Sequence, residues 1–269
     1  MEASEKFRET QKVIWSAGDW PGFAPIVQDV SDLVVAELEV EEGHDFLDVA
    51  TGSGNAAIAA ARRGARVIGL DFIPALVEAA RSRAASEGLE AEFVEGDAER
   101  LPFDDDSFDR VISIFGAMFA PGHRETAQGL IRVTRPGGAL AVTGWTPEGL
   151  NGQMFKTLGN HMPPPPEGLD PPAMWGDESH IREIFDSPGV EITCEKRMTR
   201  IEYESHDDWM EHLEANLGPI VVAKAMLEPQ GKWEAARADL AELEEGYNQA
   251  EDGTFRADAE YLLTKVTIG

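Results

Sequence analysis

Residues 45–71, DFLDVATGSGNAAIAAARRGARVIGLD, carry the clearest fold signal in this chain. An apolar run at 45–50 passes through a glycine-rich turn into an alanine-rich helical segment, and a second apolar run follows at 65–71. Two apolar strands joined by a helix are typical of a βαβ unit, whose parallel strands are buried on both faces. The segment therefore predicts the start of a parallel sheet.

The same alternation continues along the chain. Further apolar runs lie at 91–97, 109–115 and 138–145, with helical segments between them. Two longer strand candidates, 190–204 and 259–268, follow. The pattern predicts an α/β fold with a mainly parallel seven-stranded sheet, helices on both faces and an antiparallel final pair of strands.

The remaining segments are predicted to belong to the same domain. Residues 1–44 read as helical, and 45–145 form the strand–helix core. The part from 146 to 269 opens with a proline-rich loop at 162–172, which suits neither helix nor central strand. Helical stretches at about 205–250 are predicted to form a cap inserted before the last strand.

Composition limits the partners. The formal net charge of −27 disfavours nucleic acid and anionic membranes. No apolar run reaches the roughly 20 residues of a bilayer crossing, and the start MEASEKFRET lacks the apolar stretch of a signal peptide. A cytoplasmic protein is expected, with its oligomeric state undetermined. Cys194 is the only cysteine, and we expect it to be a small buried apolar residue on a strand.

The turn after the first strand contains Ala50, Thr51, Gly52 and Gly54. Small residues there let the backbone approach a ligand, and the helix that follows points free N–H groups at the same place. Asp71 ends the second strand, where an acid can accept hydrogen bonds from both hydroxyls of a ribose. Dinucleotide sites share both features, so an NAD(P)-dependent oxidoreductase stays open at this point.

Later motifs separate these alternatives. Asp97 ends the third strand, where its carboxylate can accept a hydrogen bond from an adenine amino group, and Pro-Gly-Gly precedes the fifth strand. Four segments occur in order: DVATGSGN, GLD, GDAERLPF with SFD, and RVTRPGG. Together they resemble the class I S-adenosylmethionine-dependent methyltransferases, specifically the ubiquinone/menaquinone-biosynthesis-like branch called methyltransferase type 11. The resemblance covers about residues 45–145, with Ala50 where the family usually has glycine.

The resemblance implies a Rossmann-like fold, S-adenosylmethionine as cofactor and a set of contacts. The methionine part should lie on Ala50 to Gly54, and Asp71 should hold the ribose. The other expected contacts are Phe72 against the adenine, Asp97 and Ala98 at the adenine edge, and Ser113, Ile114 and Met118 beside the methionine part.

An aromatic residue near the N-terminus is a further candidate. The stretch QKVIWSAGDW looks like the N-terminal cofactor flap of relatives, so Trp15 is expected to cover the site, since an aromatic face attracts a sulfonium. The alternative for Trp15 and Trp20 is ordinary packing of an amphipathic helix.

The chemistry of methyl transfer leaves the catalytic residue unknown. In-line displacement from a sulfonium needs alignment and exclusion of water, and a base only if the acceptor must lose a proton. None of the six histidines is assigned as a base; a surface or capping role is expected for His123. No metal site is predicted, since no histidine pair is visible and Asp104 to Asp106 suit a solvated turn.

The predicted function is methyl transfer from S-adenosylmethionine to a small-molecule acceptor. A non-methylating S-adenosylmethionine binder and a protein-modifying methyltransferase remain alternatives. Large apolar residues in a loop-rich segment either form a second core or line an acceptor pocket. They are Trp145, Met154, Phe155, Met162, Met174 and Trp175.

Overall fold

A computed structural model describes the backbone of residues 2–269 and the side chains from residue 9 onward. Seven strands form one sheet in the order β3-β2-β1-β4-β5-β7-β6. Their bounds are β1 Asp45–Val49, β2 Arg66–Asp71, β3 Glu92–Glu95, β4 Phe108–Ile114, β5 Thr134–Trp145, β6 Val190–Tyr203 and β7 Phe255–Ile268. Neighbours among β1 to β5 are parallel, and β7 runs antiparallel between β5 and β6. The predicted seven-stranded, mainly parallel sheet is confirmed.

The helices alternate with the strands of the core and then gather outside it. Their bounds are α1 Glu2–Ser16, α2 Trp20–Phe23, α3 Gln28–Glu37, α4 Asn55–Ala61, α5 Pro74–Ser86, α6 His123–Val133, α7 Leu150–His161, α8 Glu178–Ile184, α9 His206–Asn216, α10 Gly218–Leu227 and α11 Trp233–Tyr247. The segment before the last strand thus holds three helices, where the sequence pattern indicated two helical stretches, because Gly218-Pro219 starts a new helix.

Burial explains why β1 is central. Phe46, Leu47, Asp48 and Val49 are all buried in succession, although side chains alternate between the two faces of a strand. Both faces of the sheet are therefore covered at this point, as continuous apolar strands predict.

The start of β5 differs from the prediction at residue 138. The strand begins at Thr134, and its pairing with β4 shifts between Phe108↔Thr134 and Arg110↔Ala139. Gly137 lies in this irregularity with a φ of +77°, a conformation that glycine adopts without strain. The Pro-Gly-Gly segment is thus a bulge inside the strand.

The N-terminal helices meet the C-terminal helices at one place. The backbone N–H of Asp19 donates to the carbonyl of Asn216 at 3.0 Å. A Cβ on Gly18 would lie 2.6 Å from that same carbonyl, so only glycine allows this approach. Two segments about 200 residues apart are thereby joined above the strand ends.

Among the described residues, no helix has the length and apolarity that crossing a bilayer requires.

Candidate functional site

A cavity of about 590 Å³ lies at the carboxyl ends of the parallel strands. In an open parallel sheet this edge is where ligands bind. The wall contains most of the residues that the sequence singled out: Trp15, Ala50, Thr51, Gly52, Asp71, Phe72, Asp97, Ala98 and Ile114. Four different strands and the first helix therefore deliver the predicted residues to one space.

Three predicted site residues do not line this cavity: Gly54, Ser113 and Met118. Gly54, with φ +91°, caps the start of α4 close to Ala80. The Ser113 hydroxyl donates to the Val49 carbonyl at 2.7 Å and accepts from the Ala117 N–H at 2.9 Å, while Met118 is wholly buried. Ser113 and Met118 thus lie behind the wall and hold it in shape, and their place beside the methionine part stays a prediction.

Two residues of the wall have strained backbones. Ala50 and Phe115, which follow β1 and β4, have φ values of +54° and +53°. Left-handed backbone costs a residue with a Cβ about 1–2 kcal/mol, and such strain clusters at functional sites. The two turns touch, since a Cβ on Gly116 would lie 2.6 Å from that of Ala50. The departure at Ala50 thus keeps the backbone shape that glycine would adopt freely.

Asp71 is buried at the end of β2 and organises the glycine-rich turn. One carboxylate oxygen accepts from the Gly52 N–H and the other from the Ile73 N–H, both at 2.9 Å. Burial raises the pKa of Asp71 to about 6, against the effect of these hydrogen bonds. A carboxylate has about four acceptor positions, so Asp71 can still accept a hydrogen bond from a ligand.

Asp48 is a second buried carboxylate in the wall, and the sequence reasoning gave it no role. Its Oδ2 accepts from the Thr51 hydroxyl at 2.6 Å and from the Ala57 N–H at 3.0 Å. Burial, with a smaller contribution from the neighbouring Asp71, raises the pKa of Asp48 to about 7, against the effect of these two hydrogen bonds. The available signal was a charged residue inside the otherwise apolar run DFLDV, since buried acids need a reason.

Asp48 also changes what the helix terminus can bind. The first N–H groups of α4 would suit a phosphate, but the Ala57 N–H already donates to a carboxylate. The wall carries more acidic side chains than basic ones. The acids are Glu9, Asp48, Asp71, Glu95, Asp97 and Glu99, and the bases are Lys12 and Arg100. This electrostatic environment favours a cationic ligand and opposes a pyrophosphate.

Aromatic rings close one side of the cavity. The centroid of the Trp15 ring lies 4.1 Å from that of Phe119 and 5.1 Å from that of Trp20. The ring centroids of Phe119 and Phe155 are 5.7 Å apart. The indole N–H of Trp20 donates to the Trp15 carbonyl at 2.6 Å. Trp15 therefore packs against other rings and also faces the cavity, and its role over the cofactor stays a prediction.

The apolar residues of 145–175 divide into two groups. Trp145, Met154 and Phe155 line the cavity. Trp175 is 1% exposed and belongs to the core. Trp175, Met162 and Met174 all lie outside the cavity wall. The segment thus contributes both to the hydrophobic core of the sheet and to the cavity wall, with β5 supplying Trp145 and α7 supplying Met154 and Phe155 of the wall.

Other wall residues were missed because they come from distant segments. They are Trp20, Phe23, Asn151 and Leu217, among others. Asn151 is a buried amide at the start of α7, and Leu217 precedes α10. Nothing in the local sequence separates them from core residues, since only the packing of α7 and α10 brings them to the cavity.

No histidine lines the cavity as the described residues form it. His161 pairs with Asp239 at 2.8 Å, and His206 and His212 lie in the helical cap. His123 and His180 meet each other at 2.9 Å outside the wall. Burial lowers the pKa of His123 to about 4. No local motif indicates this pair, because its members are 57 residues apart.

Two further expectations concern the acidic turn at 104–106 and Cys194. Asp104 to Asp106 are exposed, and Asp105 pairs with Arg132 at 2.9 Å, which fits a solvated turn. Cys194 is half-buried on β6, where it packs against the core. Burial raises the pKa of its thiol, so the sulfur is held in its neutral, apolar form.

Comparisons with known proteins agree with this architecture. Residues 46–138 match the family described as "Methyltransferase domain". An uncharacterised protein of Mycobacterium tuberculosis is 34% identical over 94% of this chain and 92% of its own length. Demethylmenaquinone methyltransferase of Deinococcus radiodurans is 38% identical over 48% of this chain and 55% of its own.

A solved structure shares the fold. The YcgJ protein from Bacillus subtilis superposes with a TM-score of 0.62 at 21% identity, over 89% of this chain and 98% of its own. The sheet order and the methyltransferase domain agree with this fold. The mycobacterial protein matches this chain over nearly the whole length of both. The chain belongs to the class I S-adenosylmethionine-dependent methyltransferases, and it is a methyl-transferring enzyme.

Proposed function

We propose that the cavity binds S-adenosylmethionine and transfers its methyl group to a small, largely apolar or aromatic molecule. The observation that carries the proposal is the division of the cavity wall. Buried carboxylates lie at the ends of β1 and β2, and aromatic and apolar side chains from α1, β5 and α7 line other parts of the wall. A cationic nucleoside cofactor suits the first part, and an apolar acceptor suits the second.

The cofactor half is assigned as follows. Asp71 would accept hydrogen bonds from the ribose hydroxyls through its remaining lone pairs, and Phe72 would lie against the adenine. Asp97 and Ala98 would address the adenine edge. Bound S-adenosylmethionine supplies an activated methyl group on a sulfonium, and the excess of acidic side chains in the wall favours this cation over a pyrophosphate.

Trp15 is proposed to face the sulfonium. Its indole ring lies on the cavity wall, and its N–H donates to the Gln11 side chain at 2.8 Å, which fixes the ring. An aromatic face attracts a cation by about 0.5–2 kcal/mol. Its contacts with Phe119 and Trp20 hold the ring where this attraction can act.

The acceptor half is assigned to Trp145, Met154 and Phe155. Their apolar surfaces would exclude water from the reacting atoms, which strengthens electrostatic interactions there. Asn151 would orient the one polar group of the acceptor, because its amide is buried at the same wall. The net charge of −27 supports a small-molecule acceptor over a nucleic acid. The single cysteine supports a reducing cytoplasm as the compartment.

The reaction is proposed to rest on alignment and desolvation. No described histidine lines the cavity, so a histidine base is not part of the proposal. Orientation of two reactants alone can lower a barrier by about 7–11 kcal/mol. The acceptor should therefore carry a nucleophile that reacts without a strong protein base, such as an ionised phenol or thiol.

The test is formation of S-adenosylhomocysteine from S-adenosylmethionine in the presence of a panel of phenols, hydroquinones, thiols and amines. We expect turnover with apolar aromatic acceptors, and weaker turnover of the same compound by Phe155→Ala. Turnover only with polyanionic or protein acceptors would refute the proposed substrate class. A lack of turnover with every acceptor despite tight cofactor binding would refute the proposed reaction.

A further inference from the structure

Three polar side chains from separate segments meet outside the cavity. They are His123 at the start of α6, His180 in α8 and Asp170 in the proline-rich loop. One ligand atom from each lies within 4.8 Å of the others. His123 is buried, His180 is half-buried and Asp170 is exposed, so the group spans the protein surface.

The two histidines are held in place by their surroundings. The His123 ring packs edge-on against the buried Trp175 at 5.7 Å. The backbone N–H of His180 donates to the Asp177 side chain at 2.8 Å, which fixes the first turn of α8. Only Asp170 lies on an irregular loop, between proline residues. The imidazoles are thus pre-positioned, and the carboxylate can adjust to a ligand.

The distances suit chelation of a metal ion. Nδ1 of His123 and Nε2 of His180 are 2.9 Å apart. In a tetrahedral zinc site, Zn–N bonds of about 2.0–2.1 Å place two nitrogens roughly 3.3 Å apart. A separation of a few tenths of an ångström more between the nitrogens would admit the ion. The exposed Asp170, whose ligand atom lies within 4.8 Å of those of both histidines, would move inward to join them.

The ligand types select the class of ion. Two imidazoles and one carboxylate suit Zn²⁺ and similar transition metals, whereas Mg²⁺ and Ca²⁺ prefer oxygen ligands. Without a metal, one ring nitrogen donates to the other, and the Asp170 carboxylate stays outside this hydrogen bond. A divalent cation would use all three groups at once.

We propose that His123, Asp170 and His180 form a binding site for a zinc-class divalent ion that fastens the proline-rich loop to α6 and α8. Pro121, two residues before His123, lies on the cavity wall. The ion would therefore stabilise the back of the acceptor side, with water completing its coordination. The site is independent of the proposed methyl acceptor.

The test is titration of the full-length protein with Zn²⁺ in excess Mg²⁺, which occupies the acidic surface, followed by calorimetry and melting. We expect one Zn²⁺ per chain and a higher Tm with Zn²⁺. His180→Asn keeps a hydrogen-bonding partner for His123 but loses the metal ligand, so its Zn²⁺ affinity should fall roughly tenfold or more. His44→Gln, remote from the cluster, is the matched control and should bind as the natural protein does.

A second variant covers the case in which His180→Asn folds poorly. Asp170→Asn changes an exposed side chain and leaves the histidine pair intact, and it should also lose Zn²⁺ affinity and the metal-dependent rise in Tm. Equal Zn²⁺ affinity in the natural protein, His180→Asn and Asp170→Asn would overturn the proposal and leave a hydrogen-bonded histidine pair. So would an absence of stoichiometric binding in the natural protein.

Discussion

The two halves of the cavity are built by different means. The half at β1 and β2 uses backbone turns and buried carboxylates that lie within 24 residues of sequence, from Asp48 to Asp71. The opposite half uses side chains from α1, β5 and α7, brought together only by packing. The first half is a polar frame set by local sequence, and the second is an apolar wall set by tertiary structure.

This difference has a physical cause. Cofactor recognition needs hydrogen-bond groups at fixed positions, and a short strand–turn–helix unit supplies them with little freedom. Acceptor recognition needs shape and dryness, which many combinations of aromatic residues provide. Substitutions in the two halves should therefore change different measured quantities.

The largest effect is expected for a residue that belongs to neither half. Trp175→Ala should cost about 3–5 kcal/mol of unfolding free energy, because the indole is almost wholly buried. The Tm should fall markedly in calorimetry. Trp175→Phe should recover most of the loss, since the indole N–H makes no hydrogen bond among the described residues. A stable Trp175→Ala with lost turnover would instead place Trp175 in the acceptor wall.

Asp71→Ala should have the largest effect on cofactor binding. The substitution removes the charge-assisted acceptors for the ribose and for the Gly52 N–H, each worth about 1.5–3 kcal/mol. We expect a loss of at least tenfold in S-adenosylmethionine affinity by calorimetry. Asp104→Asn on the exposed turn removes one charge without touching the cavity and serves as control. An unchanged Kd in Asp71→Ala would mean that Asp71 does not hold the ribose.

Phe155→Ala should act on the other half alone. The ring is half-buried on the cavity wall, so its loss opens space beside the acceptor with a modest effect on folding. We expect a rise in acceptor KM of roughly tenfold, from about 1–2 kcal/mol of lost apolar contact. The Kd of the cofactor should stay within about twofold. A Phe155→Ala that melts as early as Trp175→Ala would assign both residues to one core.

A smaller effect is expected from pH. The raised pKa values of Asp71, about 6, and Asp48, about 7, mean that ionising these groups costs stability in the folded protein. Their contribution to stability is present at low pH and is lost as the pH rises through these values. A cationic cofactor compensates the charge, so S-adenosylmethionine affinity should rise several-fold between about pH 5 and about pH 7. Asp71→Asn should flatten this dependence, and a flat profile in the natural protein would contradict the assignment.

The sequence predicted the polar frame well because its signals are local. Apolar runs predicted the sheet, and the turn after β1 predicted the backbone approach at Gly52. The same reasoning placed Ser113 and Met118 beside the methionine part. Their side chains point into the protein, because position along the chain does not determine which side of a residue faces a cavity. Asp48 was quoted in a motif but given no role.

The apolar wall and the histidine pair were beyond sequence reasoning for another reason. Asn151 and Leu217 reach the cavity only after α7 and α10 have packed, and His123 meets His180 across 57 residues. Such contacts depend on how helices dock, which hydrophobic periodicity does not encode. The six large apolar residues of 145–175 could be named in advance, but their division between core and cavity could not.

A calorimetric titration of the natural protein with S-adenosylhomocysteine, followed by competition with NAD⁺, separates a methyltransferase site from a dinucleotide site. The carboxylates of Asp48 and Asp71 and the occupied N–H of Ala57 predict saturable binding of one S-adenosylhomocysteine per chain, with no displacement by NAD⁺. Tight binding of NAD⁺ together with no binding of S-adenosylhomocysteine or S-adenosylmethionine would contradict the account.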